Sequence, residues 1–354
     1  MKALKVTDHL LDEVILEILS HLPPKCLIKC TIVCKSWYSL IKSPQFISTH
    51  LAAVNRNRNR QLVLVRVDCP DQYSLHFDNK ALEKYMSLPG PSIPLIPIEH
   101  FEIVGSCNGI VCFSNMYELN IILWNPSIRK SLILPQAAFN SRGIVGFGFD
   151  SSTNDYKVFR MLYGHPFKTE LYSLNSGSWK DITEIAPFYK IKGHVTGASV
   201  NGALHWVVGD GDKDVGFKSI VMVFDVKDEV FREIMLPECL VKVAAFKLSV
   251  IAFAKSSIAV IKEPNGTDPY HSHIWMMKEY GVRNSWEKFT VGKRWKGRST
   301  VLGFRANGQV LMKFDRGQIA SFDLVSQRFK NLVVNHIRRY SCYFSHVESL
   351  ILLN

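Results

Sequence analysis

The chain has 354 residues, a formal net charge of +12 and 47% hydrophobic residues. This length exceeds one small domain and favours either two units or one repetitive unit. We expect no membrane-spanning helix and no secretory signal, because Lys247 and Lys255 interrupt the longest apolar span and Asp12, Glu13 and Glu17 interrupt the apolar start.

The first part of the chain carries apolar residues at helical spacing. A first helix must end at Pro23–Pro24, because Pro24 lacks a backbone donor and disfavours helix in the residue before it. A second helical stretch begins at Pro24 and runs to Ser43–Pro44, with a bend near Thr31. These two or three short helices are apolar over most of their circumference. We therefore expect the rest of the chain or a partner to cover them.

Three cysteines, Cys26, Cys30 and Cys34, lie four residues apart in the second helical stretch. A zinc site needs four convergent ligands, whereas residues eight positions apart on a straight helix are separated by about 12 Å. The same distance excludes a disulfide between the outer pair. We interpret the three thiols as small hydrophobic groups and predict neither a metal site nor a cofactor.

The segment LLDEVILEILSHLPPKCLIKCTIVCKSWYSLIKSPQF, which begins at residue 10, resembles an F-box. It carries the family's Leu-Pro pair, V-C-K-x-W and S-P-x-F motifs, with Leu11 in place of the usual first proline. In that family the helices dock onto a Skp-type adaptor, which joins them to a cullin-RING ubiquitin ligase. The resemblance implies an adaptor surface with Leu27, Val33 and Trp37 as anchors. Its full set is Leu10, Leu11, Val14, Ile18, Leu19, Leu22, Pro23, Pro24, Leu27, Val33, Cys34, Trp37 and Leu40.

From residue 61 onward, short β-rich runs alternate with turns rich in Asn, Asp, Gly and Ser. A module of an apolar run, a polar turn and an aromatic residue with a basic neighbour recurs every 43 to 55 residues. Such a period, built only from short strands, predicts propeller blades of the kelch size. Five blades begin near residues 104, 145, 196, 244 and 301, and Asn-Gly marks the first turn in three of them.

Strand-like segments remain at both ends of the tail, outside those five blades. LVLVRV and YSLHF precede the first blade, and YSCYFSHVESLILL follows the last one. Neither end makes a complete sheet by itself. We predict that both ends pair into a sixth, closing blade, because closure removes the exposed edges of an open array.

The β-rich part resembles the F-box-associated, kelch-like region of plant F-box proteins, a family with S-locus-like and defence-related members. The matching pieces include VGSCNGIVCF, WNPSIRKSLILP, VNGALHW and IWMMKEYGVRNSW. The predicted fold is a small all-α F-box head at 4–50, a basic linker at 51–60 and an all-β, kelch-like propeller of about six blades at 61–354.

The loops of such a propeller divide between two faces. We label the four strands of each blade a to d in chain order. The turns within the a-b and c-d hairpins are short, whereas the b-c and d-a connections are longer and irregular, as at 184–194 and 263–273. Binding residues concentrate on variable loops of a rigid scaffold, so we place a target protein on the second face. Its aromatic and basic side chains would suit an acidic or phosphorylated peptide, with a solvated basic rim as the alternative. They are Arg142, His165, Phe167, Lys168, Tyr189, Lys192, Tyr270, Lys293, Arg294, Trp295, Lys296 and Arg298.

The positive charge is concentrated at 55–60 and 288–339. Such charge can attract nucleic acid, an anionic membrane or an acidic protein. No helix-turn-helix, zinc-finger or RNP motif accompanies it, so nucleic acid is disfavoured, and we expect no membrane partner. The eight cysteines form no pairing framework, which predicts a reducing compartment, the cytoplasm or the nucleus.

No catalytic constellation is evident in the sequence. The Asn-Gly segments are hairpins rather than phosphate-binding loops, and a copper-oxidase propeller would need a His/Tyr ligand set that the sequence does not offer. Together with the family resemblance, this predicts a non-catalytic substrate-recognition subunit of an SCF-type (Skp, cullin, F-box) E3 ubiquitin ligase. It would hold a target protein for ubiquitination and degradation. The alternative is a propeller scaffold or a nucleic-acid-associated interaction protein outside any ligase.

Overall fold

A computed structural model gives the architecture of most of the chain. The structure describes residues 12–57, 61–68, 72–91, 101–115, 120–139, 143–162, 167–189, 197–210, 218–254, 256–262, 264, 271–292, 299–314, 317–332 and 343–351. These residues form an N-terminal group of helices followed by six β-sheets.

The described part of the head, residues 12–57, contains four helices, α1 Asp12–Ser20, α2 Pro24–Cys30, α3 Lys35–Ile41 and α4 Pro44–Arg56. Each of the last two begins at a side-chain cap. The Cys34 thiol accepts a hydrogen bond from the backbone N–H of Trp37, and the Ser43 hydroxyl accepts one from Phe46 at 3.2 Å. The second predicted stretch is therefore two helices, with a turn rather than a bend after Cys30.

The structure adds a helix near the end of the head that the sequence prediction lacked. Pro44 ends the preceding helix but also begins α4, where proline is compatible with the first turn. Helix α4 then continues through Arg56, so the linker predicted at 51–60 is helical over 51–56. The continuation is stabilised by Phe46, His50 and Val54, which lie at i, i+4 and i+8 and are buried.

The six sheets are built from short strands that follow one another along the chain. The strands are β1 Leu62–Asp68, β2 Gln72–Phe77, β3 Lys84–Pro89, β4 Phe101–Cys107, β5 Ile110–Asn115, β6 Ile121–Asn125, β7 Lys130–Ile133, β8 Gly143–Asp150, β9 Asp155–Leu162, β10 Thr169–Ser173, β11 Ser178–Asp181, β12 Ala198–Val200, β13 Ala203–Asp210, β14 Lys218–Asp225, β15 Val230–Ile234, β16 Leu248–Phe253, β17 Ser257–Lys262, β18 His271–Met277, β19 Trp286–Gly292, β20 Ser299–Phe304, β21 Val310–Phe314, β22 Ile319–Asp323, β23 Arg328–Leu332 and β24 Tyr343–His346. A short helix, α5 Glu238–Val241, lies between β15 and β16.

The sheets form a closed six-bladed propeller. Five blades take four consecutive strands each, and the sixth has the order β24-β1-β2-β3. Every paired neighbour is antiparallel, and β24 joins β1 with Leu62 opposite His346. The inner strands β4, β8, β12, β16, β20 and β24 contact one another in sequence around the ring. This confirms the predicted blade number and the closing blade shared by both ends of the tail.

An ion pair also links the closing blade to the blade β20–β23. Arg305 follows β20, and its Nε lies 2.9 Å from Oδ1 of Asp78, which follows β2. The backbone N–H of Ala306 donates to the second Asp78 oxygen at 2.7 Å. Arg305 further donates to the Asn79 carbonyl and to the Ser321 hydroxyl. Both charged side chains are buried, so the carboxylate depends on these donors in place of water.

The chain after β24 connects the propeller to the head. We call residues 347–351 the clasp. Asn125 Nδ2 donates to the carbonyls of Ser349 and Ile351 at 3.1 and 3.0 Å, which attaches the clasp to the blade β4–β7. The Leu350 side chain, also buried, belongs to the apolar core of the head, together with Leu19 and Leu27.

Acidification should weaken the closing blade through His346. This side chain of β24 is buried, and neither ring nitrogen has a hydrogen-bond partner among the described residues. Burial lowers its pKa to about 4 from an ordinary 6.5, so the unfolded chain binds the proton first. The stabilisation is complete above pH 6.5 and is lost as the pH falls toward 4. Between pH 7 and pH 5 we expect a loss of about 2 kcal/mol from this site.

Urea unfolding at the two pH values measures this loss. His346→Phe should reduce the pH dependence, because phenylalanine fills the same buried position without a titratable ring. An equal pH dependence in the wild type and in His346→Phe would contradict the assignment.

Candidate functional site

The head has an apolar core that takes up several of the predicted adaptor-contacting residues. Leu19, Leu27, Ile41 and Phe46 are buried there. Pro24 is buried as well. The role predicted for Leu19, Pro24 and Leu27 is therefore corrected: they support the helices from inside and present no side chain to a partner in this structure.

Other predicted residues reach solvent. Val14 and Ile18 are exposed and one turn apart on α1, and Val33 is 63% exposed in the turn before α3. Leu22, Pro23, Trp37 and Leu40 are half-buried, and Cys34 is exposed and caps α3. Leu10 and Leu11 lie outside the described residues.

The sequence reasoning missed four exposed apolar side chains of the head, namely Leu16, Ile28, Ile32 and Tyr38. Ile32 is 86% exposed, the largest fraction among the apolar residues of the described head. For Ile28 the signal was present in the helical spacing, because it follows the buried Leu27 by one position on α2 and so lies to one side of the core-facing stripe. Ile32 lies in the turn after α2, where helical spacing gives no signal. We call Val14, Leu16, Ile18, Ile28, Ile32, Val33 and Tyr38 the head apolar set.

Positive charge accompanies the head apolar set. Lys25, Lys29, Lys35 and Lys42 are all exposed, and no acidic residue occurs between positions 24 and 42. Lys42 donates a hydrogen bond to the Tyr38 hydroxyl at 2.9 Å, and this bond together with the lysine charge lowers the pKa of Tyr38. An apolar surface bordered by cations is complementary to an apolar partner surface with acids at its edge.

The propeller turns its variable loops away from the head. In antiparallel blades the a-b and c-d turns share one face, and the b-c and d-a connections share the other. Gly109 in an a-b turn and Ser127 in a c-d turn both meet the clasp. Ile128, in the same c-d turn, packs against the head core. The head therefore lies on the short-turn face, opposite the described parts of the b-c and d-a connections.

On the variable-loop face, several described side chains are aromatic or apolar and exposed. Phe167 packs edge-on against Phe188 with ring centroids 5.3 Å apart. Ile185, Phe188 and Phe246 are each more than half exposed. Sequence reasoning missed Ile185 and Phe246, which lie in the d-a connections of two successive blades.

Two predicted target-binding residues have other partners here. Lys168 forms a 2.9 Å ion pair with Asp181 and lies over the Phe139 ring. Hydrogen bonds from Thr183, followed by that from Lys168, lower the pKa of Asp181 to about 2, so the Lys168 charge is compensated at neutral pH. Tyr189 is buried, and its hydroxyl donates to Glu233 at 2.7 Å. Its predicted contact with a target is therefore corrected to a structural role.

The remaining predicted members of the target-binding face lie outside the described residues and stay predictions. They are Arg142, His165, Lys192, Tyr270, Lys293, Arg294, Trp295, Lys296 and Arg298. Across the described part of the chain, no group of three His, Cys, Asp or Glu side chains is placed to hold a metal ion. In the same residues no helix is long and apolar enough to cross a membrane.

Comparison with known proteins agrees with this two-part architecture. Residues 8–49 match the F-box domain, and residues 62–350 match the F-box associated beta propeller domain. The Arabidopsis thaliana F-box protein CPR1 is 27% identical, with 90% of this chain and 83% of that protein covered. The Arabidopsis F-box protein At3g07870 is 26% identical over 97% and 92% of the two chains. The Arabidopsis F-box/kelch-repeat protein At3g23880 is 27% identical over 78% and 77%. The chain belongs to the F-box proteins that carry an F-box-associated β-propeller domain.

Proposed function

We propose that this protein is the non-catalytic substrate-recognition subunit of an SCF-type E3 ubiquitin ligase. The observation that carries the proposal is the head apolar set, because seven large apolar side chains exposed on a unit of about 45 residues are more than an isolated surface needs. The head would bind a Skp-type adaptor, and the adaptor would connect it to the cullin-RING part of the ligase.

The mechanism is proximity. The adaptor would cover the head apolar set, and the propeller would hold a target protein on its variable-loop face. Holding the target beside the ubiquitin-charged enzyme raises the effective concentration of its lysines without any chemistry in this chain. The exposed aromatic side chains of that face supply apolar anchors, and the cations predicted in its loops would suit an acidic or phosphorylated target.

We also propose that the protein acts in the cytoplasm or the nucleus. All cysteines in the described part of the chain are free thiols, in agreement with a reducing compartment.

Adaptor binding tests the proposed function directly. The double variant Ile32→Asp, Val33→Asp should bind a purified Skp-type adaptor at least 100-fold more weakly than the wild type, because two apolar contacts would be replaced by carboxylates that cannot be desolvated. Isothermal titration calorimetry measures the dissociation constants. Both positions are exposed, so the head should stay folded.

Two further variants separate a lost contact from a lost fold. Ser36→Asp adds a carboxylate at an exposed polar position of α3 and should bind the adaptor within a few-fold of the wild type. Leu27→Asp places a carboxylate in the head core and should unfold the helices, with a loss of helical circular dichroism. Failure of the intact wild-type chain to bind the adaptor would overturn the proposal.

A further inference from the structure

The centre of the propeller contains a cavity of about 670 Å³. Residues from the inner strands of all six blades line it, including Val104, Val145, Val250, Leu302 and Phe344. A volume of this size lies within the range of small-molecule sites, which extends from about 300 to about 1,000 Å³. The proposed function assigns no role to this space.

The wall of the cavity is predominantly apolar. The charged residues in its described lining are Arg66, Glu102 and Lys247. The Arg66 guanidinium is buried and donates to the Phe101 carbonyl at 2.9 Å, and Lys247 is exposed beside the Phe246 ring. Both Phe246 and Lys247 directly precede inner strand β16, in a d-a connection. They therefore lie at the mouth of the cavity on the variable-loop face, while the interior offers apolar contact.

One hydrogen-bond donor in this wall lacks an acceptor. Trp206 of β13 is fully buried, and its Nε1 has no hydrogen-bond partner among the described residues. Buried indole N–H groups usually have a partner, so an unpaired one beside a cavity favours a bound acceptor. Because Nε1 is covered in this structure, the indole must rotate toward the cavity to donate to it. The Ser106 hydroxyl, in the same lining, also has no partner in the described part of the chain.

Two glycines place the indole edge at the wall. A Cβ at position 197 would lie 2.4 Å from Trp206 Nε1, and one at position 146 would lie 2.3 Å from its Cζ2. Any side chain at either position would therefore displace the indole. Since Gly146 and Gly197 belong to the lining themselves, the Trp206 ring reaches the cavity between two neighbouring blades.

We propose that the central cavity is a binding site for a predominantly apolar small molecule with a carbonyl-type acceptor, and that the acceptor takes the hydrogen bond of the Trp206 indole. The apolar part of the molecule packs against the inner strands. The site is separate from the head apolar set, and it opens on the variable-loop face, where Phe246 and Lys247 belong both to its lining and to a d-a connection.

Two fluorescent probes test the site. Nile red is neutral, apolar and has a carbonyl acceptor, whereas diphenylhexatriene is apolar and has none. The wild-type protein should bind Nile red saturably with one molecule per chain, and about tenfold more tightly than diphenylhexatriene. Trp206→Phe should remove this preference and leave the affinity for diphenylhexatriene unchanged.

Variants of the cavity lining locate the bound probe. Ser199 and Thr300 are solvent-exposed members of the lining, so Ser199→Trp and Thr300→Trp should fill the cavity without disturbing the blades and weaken Nile red binding at least tenfold. Val325→Trp, at a 95% exposed turn on the short-turn face, is the matched control and should bind Nile red like the wild type. All three variants should keep wild-type adaptor affinity, which separates this test from that of the proposed function.

The same measurements can overturn the site. Two results would show that the cavity holds only solvent. One is the absence of saturable binding to the wild type, and the other is equal Nile red affinity in Ser199→Trp, Thr300→Trp and the control Val325→Trp. Equal affinity of the wild type for the two probes would overturn the hydrogen bond to Trp206.

Discussion

Arg305→Ala is expected to lower the free energy of unfolding by about 3–5 kcal/mol, because it leaves the buried Asp78 carboxylate without its counter-ion. The two side chains are 1% and 6% exposed, and their 2.9 Å contact joins the closing blade to the blade before it. Among the described residues, the Asp78 carboxylate would keep one donor, the backbone N–H of Ala306. Loss of this contact should therefore open the ring at the seam where its two ends meet.

Urea unfolding of the propeller measures the effect. Arg232→Ala is the matched control, because Arg232 is 61% exposed in its 3.5 Å pair with Asp225, and an exposed pair contributes less than about 1 kcal/mol. The double variant Asp78→Leu, Arg305→Met should recover much of the loss, since it leaves no uncompensated charge in the seam. A similar small change in Arg305→Ala and Arg232→Ala would contradict the role of the buried pair.

Leu350→Asp is expected to release the head from the propeller. Leu350 is the clasp residue in the head core, and removing such a side chain costs about 2–5 kcal/mol before the burial of a carboxylate is counted. The clasp should leave the head, while the Asn125 contacts keep it on the blade β4–β7. Because the head then moves independently, small-angle scattering should give a larger radius of gyration than for the wild type.

The size-matched variant provides the control. Leu350→Met conserves volume and polarity and should cost less than about 1.5 kcal/mol, with unchanged scattering. Hydrogen exchange should show faster exchange in the head of Leu350→Asp and unchanged exchange in the propeller core. Scattering and exchange identical to those of the wild type would mean that the clasp does not hold the two parts together.

The architecture of the propeller could be predicted from sequence because its signals are local. Asn108 and Asn201 adopt positive φ before Gly109 and Gly202, as Asn-Gly hairpins require, and the blades recur at a regular interval. Strand β3, Lys84–Pro89, escaped prediction. Only one of its six side chains is buried, so it has no apolar alternation to recognise.

The candidate sites were predicted less completely because side-chain direction depends on packing between distant segments. A match to the F-box pattern identifies Leu27 and Val33 as characteristic positions, but it does not state that the first is buried and the second exposed. The buried state of Leu27 depends on Phe46 and Leu350, which come from α4 and the clasp. The unpaired indole of Trp206 likewise becomes visible only when Gly146 and Gly197 are placed beside it.

The closing blade also sets the order in which the parts can become complete during synthesis. The head and strands β1 to β3 leave the ribosome early, but their sheet must wait for β24, and the Arg305–Asp78 contact spans 227 positions. Contacts of such long range form late in folding. A chain that stops before residue 343 would thus carry an open ring and a head core without Leu350. Under the proposed function, we expect such a chain to have neither a fully packed head nor a finished target-binding face.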